Sequence, residues 1–228
     1  EANPDDGGSR VSQTIAAPSK RDVSRLKRTP VVDLEHCTHL LTRTQAALVL
    51  AEFIRTGRPH HVVTVNPEFL VQARSDPAFA RCLERSDLAL ADGIGLLIAA
   101  RLLGLPLPGR VTGLDITDTL AVLCSLHGYR LYLLGAGPGV AEAAARVLVG
   151  RHPGLVVAGC FAGSPRTEDD GEQVERISAA RPDVLLVAYG APAQDLWIAR
   201  NLPALGVPLA VGVGGAFDYL SGRVPRAP

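Results

Sequence analysis

The sequence is poor in aromatic residues. Phe, Tyr and Trp fill only 4% of its 228 positions, Trp occurs once, and Met is absent altogether. A core without many large rings must be built from Ala, Val and Leu, which favours buried parallel strands packed by helices over an aromatic-rich β-sandwich. An excess of one charge is missing too. With 23 basic and 23 acidic side chains the formal net charge is zero, so nothing supports a bulk attraction to nucleic acid. The four cysteines, Cys37, Cys82, Cys124 and Cys160, form no CxxC pair and read as reduced core thiols of a cytosolic protein. No apolar run reaches transmembrane length, and no signal-peptide core is present. The lack of Met extends to position 1, which reads as a processed or truncated piece of a longer product. The length suits one domain.

What is present is a rhythm. Residues 1–29 have no apolar periodicity and read as a disordered leader whose basic end, KRDVSRLKR, reads first as a solvated tail and second as a contact for an anionic surface. From residue 30 to 228 short apolar runs alternate with helical segments. PVVDL (30–34), HHVVTVN (60–66), DLALA (87–91), YRLYLLGA (129–136), LVVAGCFAG (155–163), DVLLVAYGAP (183–192) and VPLAVGVGG (207–215) read as strands. Between them, Thr44 is a plausible cap for a helix stopped by Gly57, and Asn66-Pro67 opens the next, which Ser75-Asp76-Pro77 restarts. Asp115 or Thr117 would cap the helix VTGLDITDTLAVLCSLHG. The expected fold class is α/β: a single Rossmann-like domain with a mainly parallel sheet flanked by helices.

In such sheets ligands bind outside the carboxyl ends of the strands. The residues that follow the strands are Asn66, Asp92, the turn from Gly135 through Gly137 to Gly139, Gly190 to Gln194, and Gly212 to Gly215. Polar side chains and glycine-lined turns thus converge on one edge, as a phosphorylated ligand would require. A dinucleotide is the rival reading, because LYLLGAGPGVAEAA looks like a glycine fingerprint. Its third glycine position holds Val140, and the following strand ends without a carboxylate. A tight turn with no ligand, or a turn for phosphate or nucleoside, fits the segment as well.

Six blocks carry a family resemblance: TVNPEFL (64–70), ADGIGL (91–96), GRVTGLDI (109–116), LYLLGAGPGVAE (131–142), PDVLLVAYGAPAQDLWI (182–198) and GVGGAFDYLSGRVPRAP (212–228). In order and spacing the chain resembles the WecG/TagA/CpsF glycosyltransferases. The resemblance implies an inverting, metal-independent transfer without a cofactor. A sugar, N-acetylmannosamine or another hexose, moves from a UDP-sugar to an undecaprenyl-pyrophosphate-linked acceptor in teichoic-acid, cell-wall or exopolysaccharide synthesis. It also implies a peripheral position at the cytoplasmic face of the plasma membrane, with homo-oligomers possible. Two other classes stay open: a non-catalytic nucleotide-binding module of the same fold, and an NAD(P)-dependent oxidoreductase.

Inverting transfer needs a carboxylate to take the acceptor's proton, and Asp92 matches the family's proposed base. A plain helix cap is the competing reading of Asp92. The leaving diphosphate needs cationic or N–H partners, and Arg110 in GRVTG is the candidate. Thr64, Asn66, Gly135, Gly137, Gln194, Asp195, Asp218 and Arg223 match substrate-site positions, although Asp195 stands where the family usually has Glu, and Asp218 fits a loop-holding role as well. His36-Cys37-Thr38-His39 lacks structural-zinc spacing, so no metal site is expected. His60 and His61 read as edge or core residues, and Trp197 as packing. Family members usually continue past the RAP motif into an arginine-rich appendage that reaches the membrane. This chain stops at Arg226-Ala227-Pro228, and weak or absent transfer is expected of it without that segment.

Overall fold

The computed structural model describes residues 41–102 and 109–225 in full, and the backbone of 28–30 and 37–39. Residues 1–27 of the expected leader, the expected strand at 31–34, most of the LPLPGR loop and the last three residues lie outside the described residues. The end of the expected leader contributes a strand: β1 is Arg28–Pro30, and it pairs antiparallel with β2, Cys37–His39.

The remaining strands are β3 (His60–Val65), β4 (Leu88–Ala91), β5 (Arg130–Gly135), β6 (Val156–Phe161), β7 (Val184–Ala188) and β8 (Leu209–Gly212). They pair in parallel, and the sheet order is β1-β2-β4-β3-β8-β7-β5-β6. The expected mainly parallel α/β sheet is therefore present. Strands β4, β7 and β8 are buried along their whole length, as a sheet covered on both faces requires.

Helices cover the two faces. On one lie α1 (Arg43–Thr56), α5 (Gly113–His127), α6 (Val140–Arg151) and α9 (Ala216–Leu220), packed on Val62, Leu88, Leu131, Leu186 and Val211. On the other lie α2 (Pro67–Ser75), α3 (Pro77–Arg85), α4 (Ile94–Leu102), α7 (Asp170–Ala180) and α8 (Ala193–Leu205), packed on Val63, Val65, Tyr132, Leu185 and Ala210. Trp197 is fully buried in the second layer, edge-on to Tyr189, so it serves packing.

Two helix starts differ from expectation. Thr42, not Thr44, caps α1 through a capping box with Gln45. Thr112 caps α5, with Asp115 completing the box, while the Thr117 hydroxyl instead donates to the Gly113 carbonyl. In both cases the true cap lies outside the first helical residue, where backbone N–H groups still need an acceptor. Asn66, Asp76 and Gly57 act where the sequence places them. Burial pushes the thiols of Cys82 and Cys124 up to about 12 and that of Cys160 to about 11, which disfavours their thiolate forms.

Candidate active site

A cavity of about 800 Å³ lies across the carboxyl ends of β4, β3, β8 and β7, four strands adjacent in the sheet. Each strand delivers its part through the turn that follows it. β3 ends in Thr64 and Val65, and Asn66 follows it. The Thr64 hydroxyl donates to the Gly212 carbonyl at 3.1 Å, and Asn66 Oδ1 accepts the Phe69 amide at 3.0 Å as the N-cap of α2. The cap reading and the site reading of Asn66 hold together, because its side chain also lines the cavity.

Asp92 follows β4. Its amide donates to the Val65 carbonyl at 2.7 Å, which fixes the backbone against β3. Its carboxylate Oδ2 accepts the Gly113 amide at 3.2 Å, the first residue of α5. A helix N-terminus favours negative charge, so Asp92 is held as a carboxylate acceptor at the cavity wall. Gly113 is required there: a Cβ would sit 2.6 Å from the Val213 carbonyl oxygen. The Val111 amide donates to the Ala91 carbonyl at 2.9 Å, so the segment before α5 runs beside the end of β4. That bond brings the exposed side chain of Arg110 to the same cavity as Asp92.

From β7 and α8 come Gly190, Ala191 and Gln194, and from β8 comes Val213 to Ala216. Gln194 is buried, and its Oε1 accepts the Gly214 amide at 2.9 Å, tying the two turns together. Thr64, Asn66, Asp92, Arg110 and Gln194 are thus brought together around one cavity.

The other candidates lie elsewhere. Gly135 ends β5 with φ +107°, and a Cβ on it would come within 2.7 Å of the Ala188 backbone. Gly137 lies under Arg223, whose Nη1 would be 2.5 Å from a Cβ there. The glycine turn and Arg223 therefore contact each other, next to the cavity's strands and not on its wall, because β5 is the neighbour of β7 on the far side. Asp195 is fully buried behind Gln194. The Asp218 carbonyl accepts from the Val224 amide and the Ser221 hydroxyl, which holds the loop after α9. Its neighbour Tyr219 lines the cavity instead. Glu68 and Thr112 also line it without having been singled out. Glu68 stands two residues after Asn66 in the same sequence block, in the first turn of a helix that starts at the end of β3, and that position was the available signal.

A carboxylate on a helix N-terminus, an arginine and amide side chains surround an open cleft at the carboxyl edge of a parallel sheet, the place where such folds bind ligands. Comparison with known proteins gives the family. Residues 32–228 match the Glycosyl transferase WecG/TagA/CpsF family, and the chain belongs to it. It is similar to an N-acetylglucosaminyldiphosphoundecaprenol N-acetyl-beta-D-mannosaminyltransferase of Bacillus spizizenii, 34% identical over 167 residues, covering 73% of this chain and 64% of the relative. Proteins of the same description from Bacillus subtilis and Staphylococcus aureus are each 31% identical over 167 residues, again 73% of this chain and 64% and 65% of the relatives. The matched region thus spans just under two thirds of these relatives' length.

Proposed function

We propose that the protein transfers a hexose, N-acetylmannosamine or a close analogue, from a UDP-sugar to a sugar carried on diphosphoundecaprenol. The observation that carries this reading is the Asp92 carboxylate, anchored 3.2 Å from the Gly113 amide on the wall of the cavity, in a chain of this family. Asp92 takes the proton of the acceptor hydroxyl as the hydroxyl oxygen attacks the anomeric carbon. The bond from that carbon to the diphosphate breaks on the opposite face, and UDP leaves with the electron pair. Arg110 supplies positive charge to the departing diphosphate, and the N-termini of α5 and α8 add N–H groups. Thr64, Asn66 and Gln194 bind the donor.

A lipid-linked acceptor requires contact with a membrane surface. Among the described residues no helix is long and apolar enough to cross a membrane. Helix α4, which begins two residues after Asp92, exposes Ile94, Ile98 and Leu102 at 66%, 56% and 82%. These residues recur every four positions on one face, an apolar stripe on the helix that follows Asp92 and suited to lying on lipid. That supports a peripheral position at the membrane.

The test is a transfer assay on the full-length protein, with a panel of labelled UDP-hexoses and a synthetic prenyl-diphosphate-linked N-acetylglucosamine. The expected result is a product of inverted anomeric configuration from an N-acetylhexosamine donor. UDP binding without transfer from any donor would replace the enzyme reading with that of a nucleotide-binding module.

A further inference from the structure

His61 and Asp195 are the only buried imidazole and buried carboxyl group among the described residues, 5% and 0% exposed. His61 sits on β3, three residues before Thr64, and Asp195 is the third residue of α8, directly after Gln194. Their side chains meet behind the cavity, His61 Nε2 lying 3.5 Å from Asp195 Oδ1. That contact is close but not a directed hydrogen bond, and neither carboxylate oxygen has another hydrogen-bond partner. A carboxylate taken out of water needs compensation, and a buried group without it calls for an explanation. Two sources of compensation are in place: the imidazole, and the first turn of α8, whose N-terminus favours negative charge.

The surroundings are built for this pair. A Cβ at position 212 would fall 2.5 Å from Asp195 Oδ1 and 2.6 Å from Gln194 Nε2, so only glycine lets both side chains lie against β8. The thiol of Cys82 on α3 donates to the Asp195 carbonyl at 3.3 Å. From this buried point two connections reach the cavity wall. One runs along β3 to Thr64, which bonds Gly212, and the other passes through Gln194, which bonds Gly214.

We infer that His61 and Asp195 are positioning residues: their contact pins the first turn of α8 against β3 and β8 and so holds Gln194, with its oxygen committed to Gly214, ready to donate its amide N–H groups to the nucleotide-sugar. This rests on the donor-binding role proposed for Gln194. Neither residue lines the cavity, so neither touches substrate. Loss of either partner loosens one local joint while the sheet stays intact.

Amide hydrogen exchange and a UDP titration on His61→Gln, Asp195→Asn and the double variant test this. The Gly214 amide should exchange about tenfold faster in each single variant, while Leu186 and Val211 at the sheet centre keep their protection. UDP affinity and the KM for the donor should weaken by a similar factor with kcat little changed, and the double variant should be no worse than the worse single one. If a single variant fails to fold, the double variant, which leaves no lone buried charge, carries the comparison. Unchanged exchange at Gly214, or an equal rise at Gly214, Leu186 and Val211, would overturn the inference, since the pair would then serve only global stability. A wild-type chain that binds no UDP would remove the donor-binding role of Gln194, and Gly214 exchange would still decide whether the pair positions it.

Discussion

The two edges of the sheet both carry aspartates, and the same side chain does different work at each. At the amino edge Asp87 precedes β4 and its Oδ2 accepts the His61 amide of β3 at 2.9 Å. Asp183 precedes β7 and accepts the Arg130 amide of β5 at 2.7 Å. Each carboxylate closes off the opening of the neighbouring strand. At the carboxyl edge Asp92, at the other end of β4, accepts an amide from a helix start, as Asn66 does, while Gln194 accepts one from a turn. All strands of a parallel set point the same way, so their following helices begin at one edge and leave N–H groups directed into a common cleft. A polar side chain there anchors a helix start or a turn and lines a cavity at once. A polar side chain at the other edge only completes a strand.

The sharpest way to break this comparison is to neutralise the two aspartates of β4 in turn. Asp92→Asn should lower the transfer rate by about 10²–10⁴-fold, the usual range for removing a general base, while UDP still binds. Asp87→Asn should leave the rate within about a factor of two, since its hydrogen bond concerns strand pairing. The measurement is initial transfer rate at saturating donor. Equal losses in both variants would erase the distinction between the edges.

Most of the architecture was legible in the sequence, because parallel strands buried on both faces leave continuous apolar runs such as LALA and VLLVA. The convergence of Asn66, Asp92 and Gln194 was legible too, since the strand-end rule needs only strand order. Sheet order was not legible, and it decides which ends are adjacent. The Gly135–Gly139 turn reads in sequence as a partial glycine fingerprint, with or without a ligand, yet β5 lies beyond β7, and Arg223 lies over Gly137. Tyr219 on the cavity wall was not legible either, as a five-residue helix gives no periodicity from which to choose a face, whereas the loop-holding reading of Asp218 agrees with its bonds to Val224 and Ser221. Asp195 matched a site block by position, and only the packing of α8 on β3 shows it buried beside His61.

A smaller effect sharpens the comparison from the stability side. Gly113→Ala places a methyl group 2.6 Å from the Val213 carbonyl oxygen, and that oxygen belongs to backbone that cannot swing away. Overpacking of this kind costs about 1–3 kcal/mol, partly offset by the better helix propensity of Ala. Denaturant unfolding should show that loss. Transfer should fall with it, because the shift displaces the amide that holds Asp92. A variant with normal stability and normal turnover would mean that α5 does not set the carboxylate's position.

The smallest expected effect belongs to the amino edge, and its pH dependence has a definite sign. Burial alone would raise the Asp87 carboxyl, but the His60 imidazole 3.3 Å away and the hydrogen bond from the His61 amide outweigh it and hold it below its ordinary value of 3.8. A carboxyl depressed in the folded state adds stability that is present above the unfolded value and is lost as pH falls through the folded one. The Asp87 side chain is 41% exposed, so solvent screening keeps its contribution under about 1 kcal/mol. Asp87→Asn should therefore unfold at slightly lower denaturant than wild type at pH 7. The gap should shrink as pH falls below the ordinary value of 3.8 and on through the lower folded one, where the native carboxylate itself takes up a proton. A gap that stayed constant across that range would show that the amide geometry, and not the charge, carries the Asp87 contribution. The amino edge would then be a purely hydrogen-bonded seam, further still from the charged carboxyl edge at Asp92.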